Sequence, residues 1–157
     1  MCYLLIIPIV FINLASFSFL LFRNNEYMIT GTFDSSILSF NKIDKIISEP
    51  DILIYNLNQD KSIKNLSYFE NKTIMYSTNF FYLKSITFKI NIVKGLNMVI
   101  WEKKSKIIHS TITFLFNQSY EIKYILSIRV PFILKKNIIE REINFIKEYF
   151  NFIIKNY

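Results

Sequence analysis

Glycine is almost absent from this chain, with two residues in 157, and cysteine, histidine and tryptophan occur once each. With Cys2 alone there is no intramolecular disulfide and no thiolate metal site. One histidine, His109, provides neither a zinc centre nor a thiol-imidazole couple, so the composition implies no metal and no cofactor. Scarce glycine also removes the phosphate-cradling loops that need it. There is no Gly-rich phosphate loop, no Gly-x-Ser-x-Gly elbow and no His-Glu-x-x-His. Glu140 and Glu142 are the nearest approach to paired carboxylates, and two residues apart on a helix they point in different directions. No catalytic residue is assigned, and the expectation is a protein that is not an enzyme.

What the chain has in abundance is isoleucine, lysine, asparagine and phenylalanine. The formal net charge of +7 would suggest an anionic partner. Most of the positive residues are lysines scattered singly or in short groups such as Lys103-Lys104-Lys106, as A- and T-rich coding would also produce, so nucleic acid is not the expected partner. At this length one domain with a real core is expected.

Residues 1–22, MCYLLIIPIVFINLASFSFLLF, carry no charge. As a helix this run would reach about 33 Å, enough for a hydrocarbon core of roughly 30 Å. It reads as an apolar helix serving as an export signal or a membrane anchor, the two not being separated, and places the protein in a cell envelope, exported or anchored by that helix. Residues 23–38, with Gly31 and Asp34-Ser35-Ser36, read as a linker. No second span follows, because the long apolar stretch near the end has Glu140, Arg141, Glu142, Lys147 and Glu148 in its middle.

Residues 39–157 read as an α+β domain. Ile43, Ile46 and Ile47 at helical spacing predict a short helix stopped by Pro50. Period two then dominates, over about 52–57, 62–69 and 72–78, and most clearly in SITFKINIV, where Ile86, Phe88, Ile90 and Ile92 share a face. After Gly95, Leu96, Val99 and Ile100 predict a middle helix ending in Trp101 and its lysines, whose charges would face the negative end of the helix dipole. Two strands around 107–116 and 120–130 lead to Pro131 and a long amphipathic helix, with Asn137 and Glu140 as a capping box and a stripe of Ile139, Ile143, Ile146, Phe150 and Ile153. The expectation is an antiparallel sheet of about five strands with a middle helix and a long C-terminal helix packed on it.

The stretch NMVIWEKKSKIIHSTITF, followed by a polar turn, an alternating strand and a long closing helix, resembles the YbjN domain family of bacterial sensory transduction regulators. Trp101-Glu102-Lys103 stands where that family has Trp-Asn and basic residues. The expected glycine turn is replaced by Asn117-Gln118-Ser119. The resemblance implies a fold similar to type III secretion chaperones, an export signal in some members and no catalytic residues. The expected function is therefore a non-enzymatic, protein-binding or regulatory module, self-associating to a homodimer, with Trp101, Tyr149, Phe152 and Tyr157 as the candidate binding surface. The alternative is a membrane-anchored envelope assembly component that binds an apolar ligand.

Overall fold

The structure is a computed structural model and describes residues 23–34, 40–69, 72–80, 83–116 and 121–156. The run 1–22, read as a signal or anchor, lies outside the described residues, as do 35–39 and Tyr157. Among the described residues no helix is long and apolar enough to cross a membrane.

Seven strands form one antiparallel sheet. Strand β1 (Asn24–Asp34) is followed by two short helices, α1 (Phe40–Ser48) and α2 (Pro50–Gln59). Then come β2 (Ile63–Phe69), β3 (Thr73–Phe80), β4 (Leu83–Gly95), β5 (Met98–Lys104), β6 (His109–Phe116) and β7 (Glu121–Pro131). A single 3-10 turn, Phe132–Leu134, leads into the 22-residue helix α3 (Lys135–Asn156). The strand order is β1-β7-β6-β5-β4-β3-β2, so every strand from β2 to β7 neighbours its successor and β1 closes beside β7. The expected α+β class, with a mostly antiparallel sheet and a long C-terminal helix, is what the chain adopts, but the sheet has seven strands where about five were expected, because Asn24–Asp34 and Met98–Lys104 add one each.

Three local expectations are corrected. The segment read as a linker is for the most part a strand, since Asn24–Asp34 pairs along its length with β7. It was obscured because its inward residues, Tyr27, Ile29, Gly31 and Phe33, are only half buried at the sheet edge. The middle helix does not exist: Met98–Lys104 is strand β5. Asn97 adopts a left-handed φ of 55° and makes a tight turn out of Gly95, a conformation asparagine tolerates better than most residues. Leu96, at 92% exposure, anchors nothing, and the true alternation sends Val99, Trp101 and Lys103 inward. A lysine on the inner side disguised the period of two. Finally, the first helix does end just before Pro50, as expected, but Pro50 then opens a second helix over the stretch 52–57 that was expected to be a strand. Its ring suits the first helical turn, where its missing N–H costs nothing, and Leu53 and Leu57 then face the core one turn apart.

The sheet's inner face and α3 enclose the core. Helix α3 presents Ile138, Ile146, Tyr149, Phe150 and Ile153, a stripe rotated from the expected one so that Ile139 and Ile143 lie at its margin. Trp101, Phe114 and Tyr149 are its largest fully buried side chains. Burying each such side chain contributes about 1.5–3 kcal/mol. Trp101 meets both Phe114 and Tyr149 edge-on at 4.8 Å between ring centroids. At the other edge Phe33 of β1 stacks on Phe150 at 4.0 Å, which fastens the first strand to the last helix.

Candidate functional site

Of the four residues expected to form a binding surface, the three that are described do not share one. Trp101 and Tyr149 come together, but inside the core, at 1% and 0% exposure. Tyr149, on the last helix, was expected at the surface. It is buried because the helix stripe widens to include it beside Phe150. Phe152 is half buried and lies against Tyr55 at 5.3 Å, while Tyr157 lies outside the described residues. His109 stands exposed at the start of β6. Among the described residues no group of three or more His, Cys, Asp or Glu side chains is placed to hold a metal ion.

The structure instead brings together Tyr76, Lys103 and Glu142. Inward alternation on β5 carries Lys103 into the core two residues after Trp101. Helical spacing carries Glu142 inward, four residues after Ile138 and four before Ile146. The two meet as a buried ion pair, Lys103 Nζ donating to Glu142 Oε1 at 2.5 Å, with side-chain exposures of 9% and 4%. Rings surround the ammonium: Phe88 at 4.7 Å, Phe145 at 5.6 Å and Tyr76 at 5.8 Å from their centroids. Cation–π attraction of this kind is worth about 2 kcal/mol when desolvated. Burial alone would push the Lys103 ammonium down, but the neighbouring Glu142 carboxylate, aided by Tyr76, outweighs it and holds the group above the ordinary lysine range. Burial likewise raises the Tyr76 phenol, against the opposing pull of Lys103.

This group forms the floor of a cleft of about 360 Å³, where the end of α2, the start of β2, β3 and the first half of α3 meet. Leu57, Ile63 and Phe145 supply its apolar wall, and Asp60, Glu140 and Glu148 its acidic rim. A second cavity of about 450 Å³ adjoins it, sharing Leu57, Asp60, Ile63, Phe145 and Glu148. Two polar atoms at these walls are buried without a hydrogen-bond partner among the described residues, the Glu142 Oε2 acceptor and the Asn56 Nδ2 donor. Arg141 also lines the cleft, its guanidinium donating to Thr78 Oγ1 at 3.1 Å. Sequence reasoning missed this site. Its signal was present in two charges at positions of apolar periodicity, Lys103 following Val99 and Trp101 at intervals of two, and Glu142 between Ile138 and Ile146.

No protein-family model matches the chain, and no curated protein matches it by sequence. Solved structures do. An uncharacterized protein from Rhizobium leguminosarum superposes with a TM-score of 0.61 over 86% of this chain and 98% of that one, at 7% identity. Truncated norcoclaurine synthase from Thalictrum flavum gives 0.60 over 85% and 96%, at 11% identity. A START superfamily protein from Mycobacterium smegmatis gives 0.54 over 85% and 98%, at 10% identity. At such identities the likeness establishes the fold alone. The chain has the helix-grip, START-like α+β architecture, an antiparallel sheet closed over a long C-terminal helix.

Proposed function

We propose that this protein is a non-enzymatic binding module that holds a small ligand in the cleft above Lys103 and Glu142. The observation that carries the reading is Glu142 Oε2, a carboxylate oxygen buried at the cleft floor with no partner among the described residues. An unsatisfied buried acceptor costs about 1–3 kcal/mol or more, and a ligand donating an N–H or O–H to it recovers that cost. The acidic rim of Asp60, Glu140 and Glu148 favours a cationic ligand, and Leu57, Ile63 and Phe145 favour one with an apolar or aromatic body. Binding is favoured over catalysis because Lys103, held cationic by Glu142 and walled by three rings, offers no free amine for nucleophilic attack. A cleft with an apolar wall also accommodates the alternative reading of an apolar-ligand carrier.

The norcoclaurine synthase neighbour has been solved in complex with dopamine and hydroxybenzaldehyde, which supports a reading in which small aromatic molecules are bound. A regulatory role of the kind implied by YbjN domains fits such a module, with occupancy of the cleft as the signal and a protein partner or second copy as its reader.

Thermal denaturation of the full chain with tyramine, and with its neutral alcohol counterpart tyrosol, tests the reading. The amine is expected to raise the melting midpoint in a concentration-dependent way, as any ligand specific for the folded state must. It should do so more than the alcohol, and the difference should shrink in E142Q. Identical curves with and without either compound, in both proteins, would remove the small-ligand reading.

A further inference from the structure

The outer face of the sheet carries a cross-strand row of basic side chains near the end where β1 begins and β7 finishes. Lys89 of β4 stands opposite Lys104 of β5, Lys104 opposite His109 of β6, and His109 opposite Arg129 of β7. All four are exposed. With strands about 4.8 Å apart the row spans roughly 14 Å. Lys89 and Lys104 thus place like charges directly opposite on neighbouring strands, which is destabilising. Relief is partial: Lys104 Nζ reaches Glu102 Oε2 at 3.1 Å, and Glu26, opposite Arg129, accepts from Ser127 Oγ at 2.9 Å.

Three residues beyond Arg129 the 3-10 turn begins, and its Phe132 and Ile133 are 53% and 51% exposed. Arg23, Lys135 and Lys136 flank this turn. Lys135 lies over the Tyr27 ring at 4.1 Å, and Arg23 and Lys136 are exposed. The Phe132 N–H donates to the carbonyl of Arg23 at 3.3 Å. The turn is thereby tied to the residue at which the charge-free sequence 1–22 ends.

Three independent features therefore coincide: an exposed aromatic–aliphatic pair, a surround of cations, and the end of an apolar run of membrane-spanning length. A nucleic acid would use the cations and one ring, but it has no use for Ile133. An anionic bilayer uses all three, because apolar side chains enter the headgroup boundary while nearby cations are attracted to the anionic headgroups. We propose that the Phe132–Ile133 turn and its flanking cations dock this end of the domain on an anionic lipid surface, as a second contact beside residues 1–22. The contact does not depend on the ligand reading of the cleft, which opens between other elements.

Full-length F132W reconstituted into vesicles tests this, because the new indole reports on the turn itself and not on residues 1–22. Trp101, fully buried, serves as the unquenched reference in the parent protein. Vesicles are phosphatidylcholine alone, or with about one part in three phosphatidylserine, each with and without acyl-brominated lipid. The expected result is a blue-shifted emission and several-fold stronger bromine quenching with phosphatidylserine, abolished in F132W carrying R129E and K136E. Emission unchanged from free solution in both vesicles overturns the proposal. Equal quenching in both compositions also overturns it, because the cations would then have no part. A response to single-stranded RNA with none to vesicles makes the surface a nucleic-acid contact and overturns it as well.

Discussion

The indole of Trp101 donates its Nε1–H to the main-chain carbonyl of Ile47 at 3.0 Å, joining strand β5 to the end of helix α1. The last four carbonyls of that helix have no intrahelical partners of their own. All four are answered: Lys45 by the Glu49 N–H and Ser48 Oγ, Ile46 by the Tyr149 hydroxyl, Ile47 by Trp101 and Ser48 by Lys72 Nζ. The largest aromatic side chains of the core thus serve as a C-terminal cap delivered from elsewhere in the chain. W101F leaves the Ile47 carbonyl buried and unpaired, and should lower stability by about 1–3 kcal/mol beyond any loss from volume. Urea denaturation with an unchanged m-value is the check.

Removing one member of the Lys103–Glu142 pair should cost far more than removing both. K103M strands a buried carboxylate and is expected to destabilise by about 3–5 kcal/mol, whereas K103M with E142L replaces both charges by apolar groups and should recover most of that loss. A double-mutant cycle by denaturant unfolding gives the coupling directly. Additive losses would show that the pair is not coupled.

Alkaline pH should unfold the protein through the same residues. The ammonium of Lys103 and the phenol of Tyr76 both have folded-state values above those of the unfolded chain. Below about pH 10 both groups are protonated in either state, so their contribution is complete and flat. Above it the unfolded chain releases protons that the folded state keeps. Stability then falls by about 1.4 kcal/mol per pH unit for each group until the folded values are reached. Midpoints measured from pH 8 to 11 should therefore be level and then decline, with a shallower decline in K103M/E142L.

Gly31 is a position where a methyl group has no room. An added Cβ would lie 2.3–2.4 Å from the Tyr124 ring and hydroxyl, and that ring is itself buried and stacked on Phe33 at 5.2 Å. G31A must push Tyr124 aside and disturb the Phe33–Phe150 contact behind it, at about 1–3 kcal/mol. Loss of near-ultraviolet circular dichroism at an unchanged far-ultraviolet signal would locate the damage in this packing.

Much of the architecture was legible because one face of most elements is dry. The alternation of Phe88, Ile90 and Ile92, that of Ile122, Tyr124, Leu126 and Ile128, and the apolar stripe of the last helix each follow from burial on one side. The misread elements are those where a local signal was overridden. Leu96, Val99 and Ile100 mimic helical spacing, yet a left-handed Asn97 turns the chain back as a hairpin. Ile52, Ile54 and Leu57 suggested a strand, while Leu53 and Leu57 carried the helical burial. The cleft was hidden for a different reason. Lys103 and Glu142 come from elements far apart in sequence, and each alone looks like a solvated surface charge; only their meeting across the core gives either a role.

The pairing of β1 with β7 sets the order in which this molecule can be completed. During synthesis Asn24–Asp34 emerges early but must wait for Glu121–Pro131 before any of its ladder can form, whereas each later strand finds its neighbour within a hairpin. This strand, made before every other strand of the sheet, is therefore among the last to be satisfied, and until the ribosome has delivered β7 its backbone groups remain unpaired, open to capture by a chaperone or by another nascent copy.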